Sequence, residues 1–169
     1  YGEHLPVGIR CSGVASTVGD RADTCVVSAG IRAMQGWPMD PGMARAGAEL
    51  GLALGGHEAR QVTGRMIANT AAVVVFGPEH RAWMRQEFPE HMGRVLAIGQ
   101  VARGLGMLPR NRRLPLTQVV EAVTSGAPRI VDTDWIEDPY GYDDRVKMIC
   151  AKRILAAVDI LATRVDWGD

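Results

Sequence analysis

The feature that most constrains the fold of this chain is an apolar run, Ala71 to Phe76, with no polar side chain in it. A strand that is apolar on both sides must be covered on both faces, as in a parallel sheet flanked by helices. Two more short strands are predicted at Thr24–Ser28 and Arg94–Ile98. The sequence therefore predicts an α/β fold, a three-layer αβα sandwich with a small, mainly parallel sheet of about four strands.

Helical patterns lie between and after these strands. Asp40 is predicted to cap a helix that has Pro41 in its first turn and runs to about Leu52. Asp143 is predicted to cap the last helix, whose apolar side chains, Cys150 among them, share one stripe. Further helical segments are predicted after Thr63, from Pro78 to about Phe88 and from Thr117 to about Thr124. Residues 100–116, which include the run Arg110 to Arg113, are predicted to form an irregular surface excursion.

Length and charge narrow the class of protein. A chain of 169 residues, 47% of them apolar, is long enough for one compact domain, and residues 1–169 are predicted to form one. Because 19 basic residues balance 19 acidic ones, net charge gives no reason to expect a nucleic-acid or membrane partner. No stretch approaches the length of apolar sequence that a transmembrane helix needs.

The three cysteines, Cys11, Cys25 and Cys150, are widely spaced. They show neither the spacing of metal ligands nor an even number that could form a disulfide framework. A reducing cytoplasm is therefore the expected compartment, and no metal site is predicted.

The segment Asp138-Pro139-Tyr140 is the strongest candidate for chemistry. The proline ring disfavours a helical conformation for the residue before it, so Asp138 is expected on a loop in front of the last helix. A carboxyl group displayed in this way is suited to protonating a leaving group. The alternative is an ordinary loop that begins a helix, which is the commoner role of an Asp-Pro pair.

The order of five motifs resembles the low-molecular-weight protein tyrosine phosphatase family, over roughly Thr24 to Val165. They are Val27-Ser28-Ala29-Gly30, Gly36-Trp37-Pro38-Met39-Asp40-Pro41, Gly56-His57-Glu58-Ala59-Arg60-Gln61, Glu79-His80 and Asp138-Pro139-Tyr140. No single motif is specific, but their order along the chain is. The similarity is greatest to divergent bacterial members with an extended segment before the loop that carries the general acid.

The resemblance implies hydrolysis of aryl phosphate monoesters through a cysteinyl-phosphate, with Asp138 as the general acid. It implies a phosphotyrosine protein or a small aryl phosphate as the substrate. It also implies that Tyr140 and Trp37 flank the substrate cleft. No metal or organic cofactor is expected, because in this family a phosphate-binding loop supplies the charge.

That loop, a Cys and an Arg separated by five residues, is not in the sequence. Six residues after the three cysteines stand, in order, Thr17, Ile31 and Ala156. In one account, Val7 to Thr17 is a decayed loop with Cys11 as the nucleophile. In the other, which we favour, the strand, loop and first helix precede Tyr1, and residues 1–21 form a helix tail and a long loop. Only twelve residues separate Cys11 from Thr24, which is short for a parallel crossover.

Two other functions stay open at this stage. The missing Cys and Arg favour an inactive phosphatase relic that acts as a binding or regulatory protein. An arsenate reductase of the same fold would need further cysteines near the site, and Cys25 and Cys150 are poorly placed for that. The sequence does not indicate the oligomeric state.

Overall fold

A computed structural model describes residues 7–9, 26–52 and 58–167 of the chain. In this part, the strands are β1 (Val7–Ile9), β2 (Val27–Ala29), β3 (Val73–Val75), β4 (Val95–Ala97), β5 (Leu114–Pro115) and β6 (Val165–Asp166). The α-helices are α1 (Pro41–Glu49), α2 (Gly64–Ala68), α3 (Pro78–Glu87), α4 (Ile98–Gly106), α5 (Val119–Gly126) and α6 (Asp144–Arg164). Strands and helices alternate through much of the chain, as the sequence predicts.

The larger sheet has the strand order β2-β1-β3-β4. β3 and β4 are parallel, whereas β1 is antiparallel to both β2 and β3. Three strands thus share one direction, and β1 runs against them. In the account favoured from the sequence, residues 1–21 form a helix tail and a long loop, whereas Val7–Ile9 in fact pairs as a strand with β2 and β3. A three-residue segment with Gly8 at its centre carries too little β pattern to be predicted as a strand.

The apolar run that constrains the fold is buried as expected. Val73 and Val75 of β3 have no exposed surface, and Leu96 and Ala97 of β4 are buried beside them. Because β3 is hydrogen-bonded to β1 on one side and β4 on the other, its backbone polar groups are paired within the sheet.

The predicted helix starts are confirmed by their capping hydrogen bonds. In each case a side-chain oxygen accepts from the backbone N–H three residues on: Asp40 from Met43 at 2.9 Å, Thr63 from Met66 at 3.3 Å, and Asp143 from Val146 at 3.0 Å. Pro78 lies in the first turn of α3, as predicted. These signals are local, which is why the sequence alone located them.

The prediction of an irregular segment over residues 100–116 is wrong for its first half. Residues 98–106 form α4, and its Val101 and Leu105 have no exposed surface. Three glycines in nine residues lower the intrinsic helix propensity and hide the apolar stripe. Packing against α5 and α6 stabilises the helix in place of propensity.

The end of that segment lies on the surface. Residues 109–113 form an exposed turn, in which Arg112 N–H donates to Pro109 O at 2.9 Å. Arg164 Nη1 donates to the same carbonyl at 2.7 Å. The chain then enters β5, which pairs in parallel with β6. No helix in the described ranges is both long and apolar enough to cross a bilayer.

Gly104 sets the distance between α4 and α5. A Cβ atom built at this position would lie 2.7 Å from Val123 Cα and 2.9 Å from Val123 O. Both are backbone atoms and cannot move aside as a flexible side chain could. The two helices therefore touch at a point where only glycine fits.

We expect Gly104→Ala to lower the free energy of unfolding by about 1–3 kcal/mol, because the added methyl group overpacks the α4–α5 contact. The matched control is Gly106→Ala in the last turn of the same helix, where an added Cβ meets nothing within 4 Å. The control is expected to be neutral or to stabilise by up to about 1 kcal/mol through helix propensity. Urea denaturation of both variants measures the difference, and equal effects would contradict the close contact.

Candidate active site

A cavity of about 270 Å³ lies beside the carboxyl end of β2. α1 and α6 form its walls, with Met43 on one and Ile154 and Leu155 on the other. Asp138 and Tyr140 also line it. Because most of its lining is apolar, the cavity favours a ligand with an apolar or aromatic body.

The loop that carries Asp138 is here called the acid loop and comprises residues 131–142. Asp138 is half-buried, and its Oδ1 accepts a hydrogen bond from Tyr140 N–H at 2.9 Å across Pro139. Tyr142 N–H donates to Pro139 O at 3.1 Å. Gly141 completes the turn with φ of +80°, a conformation that side chains rarely adopt. The carboxylate is thus held by its own turn.

The middle of the acid loop is fixed to the sheet. Ile136 N–H donates to Phe76 O, directly after β3, at 2.9 Å. The Ile136 side chain is buried in a cluster that includes Phe76, Ile98 and Cys150. The chain therefore reaches Asp138 from a fixed point at the carboxyl end of the buried strand.

The start of the acid loop carries an ion pair whose carboxylate is buried and whose arginine is partly exposed. Asp134 is 1% exposed, and its carboxylate accepts from Arg103 Nε at 2.8 Å and Nη2 at 2.7 Å. It also accepts from Val131 N–H at 2.9 Å. Burial by itself would raise the pKa of Asp134, but the hydrogen bonds from Arg103 and Val131 and the positive charge of Arg103 outweigh it and lower the pKa. Asp134 is therefore an anion at neutral pH.

A second ion pair joins the two helices that form the cavity walls. Lys147 Nζ of α6 lies 3.0 Å from Oδ1 of Asp40, the cap of α1, which also lines the cavity. Burial opposes the charged form of Asp40, yet the hydrogen bond and charge of Lys147, with backbone N–H donors, lower its pKa. A Cβ at Gly42 would lie 2.5 Å from Lys147 Cδ, so the lysine stem passes over a glycine.

Cys150 lies behind the acid loop on α6 and is buried, as the apolar stripe predicts. Its thiol lies 3.9 Å from Glu137 O. Burial raises the pKa of Cys150 to about 11, and the negative charge of Asp138 adds to this while Arg153 opposes it. At neutral pH it is a protonated thiol and a poor nucleophile.

The structure brings some predicted site residues together and separates others. Asp138 and Tyr140 line the same cavity. Trp37 is 58% exposed and is not among the described residues that line it. Cys11 lies outside the described residues, so its role as nucleophile stays a prediction, as do the roles of the other three.

Sequence reasoning missed several residues at the site. Arg60, to which the sequence assigns no role of its own, lines the cavity together with Asp40. The Arg103–Asp134 pair joins residues 31 positions apart in the chain, so no local sequence pattern predicts it. Within the described ranges, no group of three or more His, Cys, Asp or Glu side chains is arranged to hold a metal ion.

Comparison with known proteins gives consistent results. No family model matches the chain. A probable low molecular weight protein-tyrosine-phosphatase EpsP of Ralstonia solanacearum is 30% identical over 76 residues, which are 45% of this chain and 52% of that protein. The corresponding protein of Ralstonia nicotianae (strain ATCC BAA-1114 / GMI1000) is 26% identical over 62% of this chain and 76% of its own length.

A solved structure shows the likeness in fold. Wzb of Vibrio vulnificus, solved in complex with benzylphosphonate, superposes with a TM-score of 0.57 at 20% identity. The match covers 80% of this chain and 77% of that structure. At this identity the likeness concerns the fold alone.

The chain therefore resembles low molecular weight protein-tyrosine-phosphatases in part of its sequence and in its fold. The resemblance predicted from the five motifs is confirmed at this level. An α/β fold with helices around a small sheet is likewise confirmed. This chain spans about half the length of the first of the two relatives.

We expect Asp134→Asn to lower the free energy of unfolding at pH 7 by about 1–3 kcal/mol, less than for a fully buried pair because Arg103 is 42% exposed. The folded-state pKa of Asp134 lies below its unfolded value, so this stabilisation is present above about pH 4 and is lost as the pH falls through the folded-state pKa. Urea denaturation from pH 7 downward should therefore show the gap between the two proteins closing in acid. Asp132→Asn, on the exposed side of the same turn, serves as the control.

Proposed function

We propose that this protein is a phosphatase that hydrolyses aryl phosphate monoesters, phosphotyrosine in proteins or small aryl phosphates, with Asp138 as the general acid. The observation that carries the proposal is the half-buried Asp138 carboxyl, fixed by its own turn at the lining of an apolar cavity beside Tyr140. An apolar cavity suits the aryl group, and the adjacent carboxyl suits the oxygen that leaves with it.

The chemistry has two steps. A thiolate, for which Cys11 is the candidate, attacks phosphorus and forms an S–P bond while the P–O bond to the aryl group breaks. Asp138 gives its proton to the departing aryl oxygen. The Asp138 carboxylate then takes a proton from a water molecule whose oxygen bonds to phosphorus as the S–P bond breaks, which releases inorganic phosphate and restores the thiolate. Within this scheme Tyr140 flanks the aryl ring in the cavity, whereas Trp37 is not among the described residues that line it, and no metal or organic cofactor takes part.

The relatives support the choice of substrate class. Both Ralstonia proteins bear the name protein-tyrosine-phosphatase, and the Vibrio structure holds benzylphosphonate, a small aromatic phosphonate. We extend this substrate class to the present chain because the Tyr140 ring and the Asp138 carboxyl lie at one cavity.

We also propose a sandwich architecture and a cellular compartment for this protein. We take the four-stranded sheet as the middle layer of a three-layer αβα sandwich, supported by the common direction of β2, β3 and β4. Residues 1–169 are treated as one phosphatase-like domain that acts in the cytoplasm without a nucleic-acid or membrane partner.

One sequence feature favours a different function. The given sequence has no Cys and Arg separated by five residues, the spacing that would set an arginine fork on a phosphate bound at the cysteine. The second candidate is therefore an inactive relic that binds a partner through the same cavity. An arsenate reductase is disfavoured, since Cys150 is a buried thiol with a raised pKa.

We expect the purified chain to hydrolyse p-nitrophenyl phosphate at mildly acidic pH. Asp138→Asn, which keeps an oxygen for Tyr140 N–H, should lower kcat by about 10²–10⁴-fold because proton donation is lost. Cys11→Ser should abolish turnover. The matched control is Glu137→Gln, an exposed neighbour whose loss of charge should leave kcat unchanged.

The outcomes separate the two candidates. Loss of activity in Asp138→Asn and Cys11→Ser, with the control intact, supports the phosphatase. Absence of turnover in the parent chain overturns it and favours the binding relic. Turnover that survives Cys11→Ser would show that the nucleophile has been misassigned.

A further inference from the structure

We propose that Arg103 is the positioning residue of the acid loop: its fork on Asp134 fixes the point from which the loop delivers Asp138 to the cavity. The inference rests on the proposed function, because it assigns a residue that acts through the general acid. Arg103 lies on α4, the helix that the sequence does not predict.

The guanidinium group of Arg103 holds the Asp134 carboxylate with two hydrogen bonds. Arg103 Nε and Nη2 bind the two carboxylate oxygens of Asp134 at 2.8 and 2.7 Å, and Nη2 also donates to Arg129 O at 2.8 Å. Two parallel bonds to a carboxylate fix its angle as well as its distance. One side chain therefore ties both ends of the segment 129–134 to α4.

A close backbone contact at Gly99 limits how near the acid loop can come to α4. A Cβ built at Gly99, in the first turn of α4, would clash with Asp134 Cα and would lie 2.8 Å from Asp134 O. The backbone of Asp134 thus rests directly on the helix. The loop cannot move closer to α4 because of this contact, and it cannot move away without breaking the fork.

Further anchors hold the short segment 133–136, which includes Asp134. Arg153 Nη2 of α6 donates to Thr133 O at 3.0 Å and to Trp135 O at 2.8 Å. Ile136 is bonded to Phe76 at the end of β3. Three elements thus hold residues 133–136, and Asp138 follows two residues later. The position of the Asp138 carboxyl therefore depends on this set of anchors, and loss of the Arg103 fork leaves Arg153 and the Ile136 bond alone to hold the segment.

Such anchoring matters because of what proton donation requires. A general acid must come within about 2.6–3.2 Å of the oxygen it protonates. A misplacement of about 1 Å can cost on the order of 10²-fold in rate. Loops are the most mobile parts of a fold, so a loop that delivers such a group needs fixed points.

The test compares Arg103→Gln with the control Arg45→Gln. Arg45 binds the carboxylate of Asp144, the first residue of α6, at 3.0 and 3.1 Å, and both side chains are well exposed. Turnover is measured with p-nitrophenyl phosphate and with phenyl phosphate, whose leaving oxygen is more basic and depends more on the acid. We expect Arg103→Gln to lower kcat for phenyl phosphate about 10–100-fold, with a smaller loss for p-nitrophenyl phosphate and KM unchanged.

A purely structural role gives a different pattern. Loss of folded protein lowers kcat for both esters by the same factor, as a denaturation curve of the variant would reveal. Equal losses, or none, overturn the proposal. Should Arg103→Gln fail to fold, Arg103→Lys keeps the charge without the fork and should show the same split between the two esters.

A second readout does not depend on turnover. Hydrogen exchange of a peptide covering residues 131–142 reports the amides of Ile136 and Tyr140. We expect exchange there to quicken about 10-fold in Arg103→Gln and to stay unchanged in Arg45→Gln. If the parent chain has no activity, the proposed function fails, and this exchange decides by itself whether Arg103 holds the loop. Unchanged exchange in a folded variant overturns the inference.

Discussion

The pairing of β3 between β1 and β4 is the constraint on which the rest of this structure depends. A strand with no exposed surface at Val73 and Val75 has to have its backbone groups bonded by neighbours and its faces covered by helices. The chain leaves this strand at Phe76, whose carbonyl accepts the N–H of Ile136. This buried strand thus ends where the acid loop is attached, which links the core to the candidate chemistry.

Ion pairs define the geometry around the cavity more than they stabilise the fold. A buried pair loses much of its Coulombic gain to desolvation, so the Arg103–Asp134 fork is weak as a source of stability and strong as a source of fixed geometry. The Asp40–Lys147 pair does the same for the helices that form the cavity walls. Both pairs join elements far apart in sequence.

The candidate site unites an apolar cavity, an aromatic side chain and a carboxyl held by its own turn. This combination is suited to an aryl group attached to an oxygen that must be protonated. The likeness to low-molecular-weight phosphatases in sequence and fold gives this chemistry its context. The absence of a Cys and an Arg separated by five residues sets the chain apart from the pattern that its other motifs follow.

The sequence alone determined what depends on neighbours in the chain. The caps at Asp40, Thr63 and Asp143, the buried strand and the loop at Asp138 each rest on a few consecutive residues, so pattern and chemistry located them. Tertiary structure decided what depends on distant partners. α4 is glycine-rich and is stabilised by packing, β1 is too short to show a β pattern, and Asp134 meets Arg103 across 31 positions. Helix and strand propensities are properties of single residues and their neighbours, whereas burial and long-range pairing exist only once the chain has folded.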